Sequence, residues 1–123
     1  MHQVVIIDDD PINNFIYTKI VQDFSETIEI KAFDLAETGS SYLENNYQNI
    51  SLVILDINMP FVDGWMILDL LERKDIKLNI IILTSSISDE DFERSRKYKN
   101  IVGYVTKPTS LEELSEFLLK YLK

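Results

Sequence analysis

Three consecutive aspartates, Asp8, Asp9 and Asp10, follow the apolar run Val4 to Ile7, and a fourth, Asp56, follows Leu52-Val53-Ile54-Leu55. Thr84-Ser85 closes a further run, Ile81-Ile82-Leu83, and Lys107 closes Val105-Thr106 directly ahead of Pro108. Taken singly, each has an ordinary explanation. Asp10 before Pro11 reads as a helix N-cap with proline at the first helical position. Acids at a strand end stay solvated or cap the next helix, hydroxyl residues form turns, and a lysine there is usually a surface charge. Taken together they read differently. Two carboxylates about 4 Å apart repel by about 4 kcal/mol at an effective dielectric of 20, so the cluster requires a cation, a shared proton or solvent. With no cysteine and one histidine, His2, the oxygen-rich surroundings suit a hard ion, Mg²⁺ first. The acids give Lys107 a reason to point inward, and Pro108 raises the chance of a cis peptide, which would aim it. A nucleophilic or ligating carboxylate, a cation pocket, a hydroxyl donor and a fixed amine make a phosphoryl-transfer kit, because that reaction needs positioning and charge neutralisation above all. A carboxylate nucleophile would form an acyl phosphate, a high-energy bond suited to a reversible signal.

Five elements must carry these groups to one edge. The runs Val4 to Ile7, Ile28 to Phe33, Leu52 to Leu55, Ile80 to Leu83 and Ile101 to Val105 read as strands. The first, third and fourth are almost continuously apolar, as strands covered on both faces are. Helical patterns separate them. Ile12, Phe15, Ile16 and Ile20 fall on one side of a first helix, predicted to be its buried face. Asp34 with Glu37, Ser88 with Asp91 and Ser110 with Glu113 have capping-box spacing. Gly64 starts the middle helix, with Trp65, Leu68 and Leu71 buried, and Leu111, Leu114, Leu118, Tyr121 and Leu122 stripe the last. The helix from Ser88 to about Lys97 offers only Phe92 and Tyr98 as apolar contacts, so it should be the least firmly docked. Alternating strands and helices specify right-handed crossovers, hence an α/β fold: a (βα)₅ doubly wound, five-stranded parallel sheet with functional groups at the strands' carboxyl ends.

A chain of 123 residues suits one domain with one core, and with Lys123 right after the final helix no output module is expected. The formal charge of −9, from 21 acids against 12 bases, disfavours nucleic-acid binding. The bases Arg94, Arg96, Lys97 and Lys99 follow Asp89, Glu90, Asp91 and Glu93, a solvated mixed-charge helix. No secretory h-region or membrane-length apolar run occurs, and a cytoplasmic location is expected.

Ile7-Asp8-Asp9-Asp10-Pro11, Leu55-Asp56-Ile57-Asn58-Met59-Pro60 with Asp63-Gly64, Leu83-Thr84-Ser85 and Gly103-Tyr104-Val105-Thr106-Lys107-Pro108 together resemble the receiver domain of two-component response regulators, of the single-domain chemotaxis-regulator type. The resemblance covers residues 1–123. It implies the flavodoxin-like strand order 2-1-3-4-5 and a phosphoryl switch: Asp56 as phospho-acceptor, Mg²⁺ held by Asp9 directly, by Asp8 mostly through water, by Asp56 and by the Asn58 carbonyl, and Thr84 and Lys107 on the phosphoryl oxygens. Tyr104 matches the aromatic switch position, its alternative being an ordinary strand aromatic packed on a helix. The implied partners are a sensor histidine kinase or histidine phosphotransfer protein, meeting the chain near Asn13, Asn14 and Phe15, and a downstream protein target, with no direct nucleic acid and no membrane. Such a domain catalyses only its own phosphorylation and dephosphorylation, and is a monomer or a phosphorylation-dependent dimer. Asn58 and Ser86 sit where the family tunes the lifetime of the phosphorylated state.

Three other readings compete. A haloacid-dehalogenase-like phosphatase would carry an acid two residues after its nucleophile, where this chain has Asn58. A flavodoxin-like FMN carrier would have a hydroxyl- and glycine-rich loop after the first strand, where this chain has acids that repel phosphate. A non-phosphorylated, receiver-like interaction module has no need of the full site set.

Overall fold

In the computed structural model, which describes residues 3–107 and 111–122, the apolar runs become five strands and the patterned segments between them five helices. The strands are β1 (Gln3–Ile7), β2 (Glu29–Phe33), β3 (Ile50–Leu55), β4 (Ile80–Thr84) and β5 (Ile101–Thr106). The helices are α1 (Pro11–Phe24), α2 (Ala36–Asn46), α3 (Gly64–Arg73), α4 (Asp89–Ser95) and α5 (Leu111–Leu122). All pairings are parallel, in the order β2-β1-β3-β4-β5, as expected. His2, Pro108 and Ser110 lie outside the described residues, and so does the Leu111 side chain.

The continuous hydrophobicity of β1, β3 and β4 follows from the two layers that cover the sheet. Val5, Ile7, Val53, Leu55, Ile80 and Ile82 face Ala36 and Leu43 of α2 and Trp65, Leu68 and Leu71 of α3. Their neighbours Val4, Ile6, Leu52, Ile54, Ile81 and Leu83 face Tyr17 and Val21 of α1 and Leu114, Leu118 and Leu122 of α5. Alternate residues of a strand point to opposite faces, so only a sheet buried twice needs both sets apolar. Each fully buried Leu or Ile contributes about 1.5–3 kcal/mol of transfer free energy.

Two expectations are corrected. The α1 stripe Ile12, Phe15 and Ile16 faces outward, at 67%, 63% and 45% exposure, and only Ile20 of that set packs inward. The buried side is Asn14, Tyr17 and Val21, because the Asn14 amide donates to the carbonyls of Asp8 (2.9 Å) and Phe33 (3.3 Å) and so plugs the edge between β1 and β2. Asp34 caps nothing: the N-cap of α2 is the next residue, Leu35, which makes no side-chain cap hydrogen bond. The expected cap at Ser110 lies outside the described residues, and three caps form elsewhere. Asp10 accepts from Ile12 N–H, Asp63 from Met66 N–H and Ser88 from Asp91 N–H.

Candidate functional site

Backbone hydrogen bonds continue the sheet one residue past its strands and fix the site. Asp8 N–H donates to the Phe33 carbonyl (3.1 Å), Asp56 N–H to Ile7 (2.9 Å) and Lys107 N–H to Thr84 (2.7 Å). The side chains of Asp8, Asp56, Thr84 and Lys107 therefore start from one rigid carboxyl edge. Gly64 completes the support, since a Cβ there would lie 2.7 Å from the Ile57 Cα and 2.9 Å from the Asp56 carbonyl oxygen; only glycine allows α3 to start so close beneath the Asp56 loop.

Asp8, Asp9 and Asp56 can bring one carboxylate oxygen each within 4.8 Å of one another, Asp8 and Asp56 buried and Asp9 exposed. The Lys107 amine lies 2.7 Å from Asp8 Oδ2 and 3.4 Å from Asp56 Oδ2. Asp8 accepts two further bonds, at Oδ1 from Asp10 N–H (2.9 Å) and at Oδ2 from the Asn13 amide (3.3 Å). Asp56 Oδ1 accepts from Asn58 N–H at 3.0 Å. Burial raises the Asp56 pKa and the charge of Asp8 adds to it, against the lowering pull of Asn58 N–H and Lys107. Burial disfavours the charge on Lys107, yet its hydrogen bond to Asp8 and the fields of Asp56 and Asp8 outweigh that and hold its pKa above the usual lysine value. Three carboxylates against one ammonium leave the pocket short of positive charge. An all-oxygen donor set with that deficit fits a hard divalent cation, and Asp8, Asp9 and Asp56 are the carboxylates grouped closely enough to hold it.

Thr84 is fully buried, and its hydroxyl accepts from the Asn58 amide (2.9 Å) and Ser86 N–H (3.1 Å). With both lone pairs used, its own proton is what remains to offer. From Ser86 the bonding runs on to α4: Ser86 Oγ donates to Asp91 Oδ2 at 2.6 Å and accepts from Ser88 N–H at 3.3 Å. Tyr104, one strand over, packs edge-on against Phe92 of α4 at 5.4 Å. Its hydroxyl is buried, and burial and the charge of Asp91 raise its pKa against the lowering pull of Ser86.

The structure thus brings Asp8, Asp9, Asp56, Asn58, Thr84 and Lys107 together and places Tyr104 beside α4. Sequence reasoning missed Tyr17. Burial pushes its phenol pKa up, and the acids Asp8, Asp56 and Asp10 add to this against Lys107, which places the ring at the edge of the cluster; a tyrosine within a helical pattern carries no signal of that. It also missed the Asn58 side chain as a partner of Thr84.

Comparison with known proteins agrees with this geometry. Residues 4–119 match the family model of the response regulator receiver domain. The two-component response regulator ORR26 of Oryza sativa subsp. japonica is 30% identical over 116 residues, 91% of this chain and 19% of that protein, so the chain spans about a fifth of that relative's length. A two-component response regulator from Cytophaga hutchinsonii superposes with a TM-score of 0.83 at 28% identity, covering 99% of this chain and 97% of that one. In fold, the chain also resembles a protein in the CheX-CheY-BeF3-Mg²⁺ complex from Borrelia burgdorferi, at TM-score 0.85 and 22% identity over 99% and 90% of the chains. With its two-layered 2-1-3-4-5 sheet and an acid-rich carboxyl edge, the chain belongs to the response regulator receiver family, a CheY-like signalling module of two-component systems.

Proposed function

We propose that this chain is a phosphorylation switch whose phospho-acceptor is Asp56. The observation that carries the reading is the single amine of Lys107 bridging Asp8 and Asp56 beside a hydroxyl, Thr84, left with only its proton to give.

A phosphohistidine on a sensor histidine kinase or histidine phosphotransfer protein, or a small acyl phosphate, presents phosphorus to Asp56. A carboxylate oxygen forms the new O–P bond as the donor's P–N or P–O bond breaks, and the donor keeps that electron pair. Asp9, Asp56 and the Asn58 carbonyl would hold Mg²⁺, with Asp8 in an indirect role, and the ion would supply positive charge to the phosphoryl oxygens. Asp8, whose oxygens already accept from Lys107, Asn13 and Asp10, suits that indirect role. Lys107 transfers part of its attention from Asp8 to the incoming oxygens. The product carries nearly two negative charges, and Thr84 donates to it. As Thr84 moves, its bonds from Asn58 and Ser86 rearrange, Tyr104 turns inward, and the α4 and β5 surface changes population. The outward apolar face of α1, Ile12, Phe15 and Ile16, supports docking of the phosphodonor next to Asn13; Asn14, buried as the plug between β1 and β2, takes no part. The rearranged α4, β5 and α5 surface is offered to a downstream protein.

The test is labelling with a small acyl phosphate carrying radioactive phosphorus, with Mg²⁺ and with EDTA. Mg²⁺-dependent label that Asp56→Asn abolishes is the expected result. Label on the Asp56→Asn variant equal to that of the parent would refute the assignment, and turnover of a bystander phosphate ester without labelled protein would point to a phosphatase.

A further inference from the structure

Between Thr84 and the first turn of α4 the chain is stitched by a ring of polar contacts. Ser86 N–H donates to Thr84 Oγ1 (3.1 Å), and Ser86 Oγ donates to Asp91 Oδ2 (2.6 Å). Ser88 N–H donates back to Ser86 Oγ, and Asp91 N–H to Ser88 Oγ, each at 3.3 Å. Asp91 closes the ring, with its carboxylate on Ser86 and its amide on Ser88. Packing does not back it up at its middle, where Ile87 stands 87% exposed. The bond from Ser86 to Asp91 is the shortest of the four and the one with a charged acceptor, hence the strongest. The far end of α4 is fastened differently. The Arg94 guanidinium lies 4.5 Å over the buried Trp65 ring of α3 and 3.9 Å from Asp69. Just past the helix, Tyr98 stacks on the same ring at 5.7 Å and donates its hydroxyl to Asp69 at 2.6 Å. This stack shares no residue with the ring at Thr84.

We propose that Asp91 is a positioning residue, a latch that acts through Ser86 to hold Thr84 back from the phosphoryl group, with α4 swinging about its Arg94 end when the latch opens. For Thr84 Oγ1 to advance, Ser86 must either let go of it or follow it, and following breaks the bond to Asp91. Coupling of this kind is reciprocal. A phosphoryl group that draws Thr84 forward opens the latch, and a chain without the latch binds the phosphoryl group more tightly. The inference rests on Asp56 as the phosphoryl site and adds a residue of α4 to what controls it.

Beryllofluoride, a mimic of a phosphoryl group on a carboxylate, supplies the probe, titrated with Mg²⁺ into the full chain. Asp91→Ala and Ser86→Ala should each bind it about three- to tenfold more tightly than the parent, the worth of one partly exposed hydrogen bond. The double variant should gain no more than the better single one, because both remove the same bond. Asp89→Ala, which takes a charge from the same helical turn, should bind as the parent does. In the parent, binding should quicken amide exchange across residues 86–91 and leave residues 94–98 unchanged. Variants that bind no more tightly than the parent, gains that add in the double variant, an equal gain in Asp89→Ala, or altered exchange across 94–98 overturn the latch while leaving the Asp56 reading intact. A parent that takes up no beryllofluoride overturns the Asp56 reading and the latch with it.

Discussion

At Asp56 a carboxylate is kept out of water beside another acid, and the physics of that one residue sets a pH and metal signature. Burial, with Asp8, raises its pKa in the folded chain. The unfolded chain therefore releases the proton first, near the ordinary carboxylate value of about 3.9. Stability falls as pH rises from there through the folded-state pKa, and the loss persists above it. In EDTA at neutral pH, Asp56→Asn should therefore melt higher than the parent, with the gap closing as pH is lowered toward the unfolded-state value. Mg²⁺ should reverse the order. At about a hundred times its Kd a ligand adds about 2.7 kcal/mol to the form that binds it, and the variant has lost a ligating oxygen. Thermal melts at several pH values, with and without Mg²⁺, check this; a parent that melts above Asp56→Asn in EDTA at neutral pH would contradict it. Most of this residue chemistry was legible, because strand-end acids, a hydroxyl and an amine announce themselves by type. The Asn58 amide on Thr84 was not, since nothing in a side chain's identity says which of several hydroxyls it will reach.

Among the elements, α1 and α4 behave most differently from one another. The α1 pattern misled because hydrophobic periodicity assumes that the apolar side is the buried side. Here Asn14 is buried as a hydrogen-bond plug and Tyr17 packs into the core with Val21, so the helix turns its Ile12, Phe15 and Ile16 face to solvent. The weakness of α4 was legible: seven residues, Phe92 46% exposed, Ser95 the one buried residue. Besides the Phe92 edge on Tyr104 and Arg94 over the Trp65 ring, polar bonds tether it, through Ser88 at its N-cap and Asp91 bound to Ser86. An N-cap is worth about 1 kcal/mol, a large share for so short a helix. Ser88→Ala should speed amide hydrogen exchange across residues 89–95 about fivefold while leaving α3 exchange unchanged. Equal protection of α4 in variant and parent would show that side-chain packing, and not the cap, holds it.

Across the whole molecule, the site exists only because of the topology. Asp8, Asp56, Thr84 and Lys107 are separated by as many as 99 positions in the chain, yet four parallel strands in the order β1-β3-β4-β5 deliver them to one edge, where ladder bonds past the strand ends hold them. The fold class and strand spans were legible for the same reason that the sheet is stable: both faces of β1, β3 and β4 are buried, and continuous apolar runs have no other use. Helix starts were less so, as the α2 cap at Leu35 shows, because a cap competes with whatever else the residue does. The measurement that bears most directly on the central claim is the location of the phosphoryl group. Borohydride reduces an aspartyl phosphate to homoserine, so the chain treated with acyl phosphate and Mg²⁺, then reduced and digested, should yield homoserine at Asp56 in tandem mass spectra, and none in EDTA. Homoserine at Asp8 or Asp9 instead, or at no aspartate, would contradict the account.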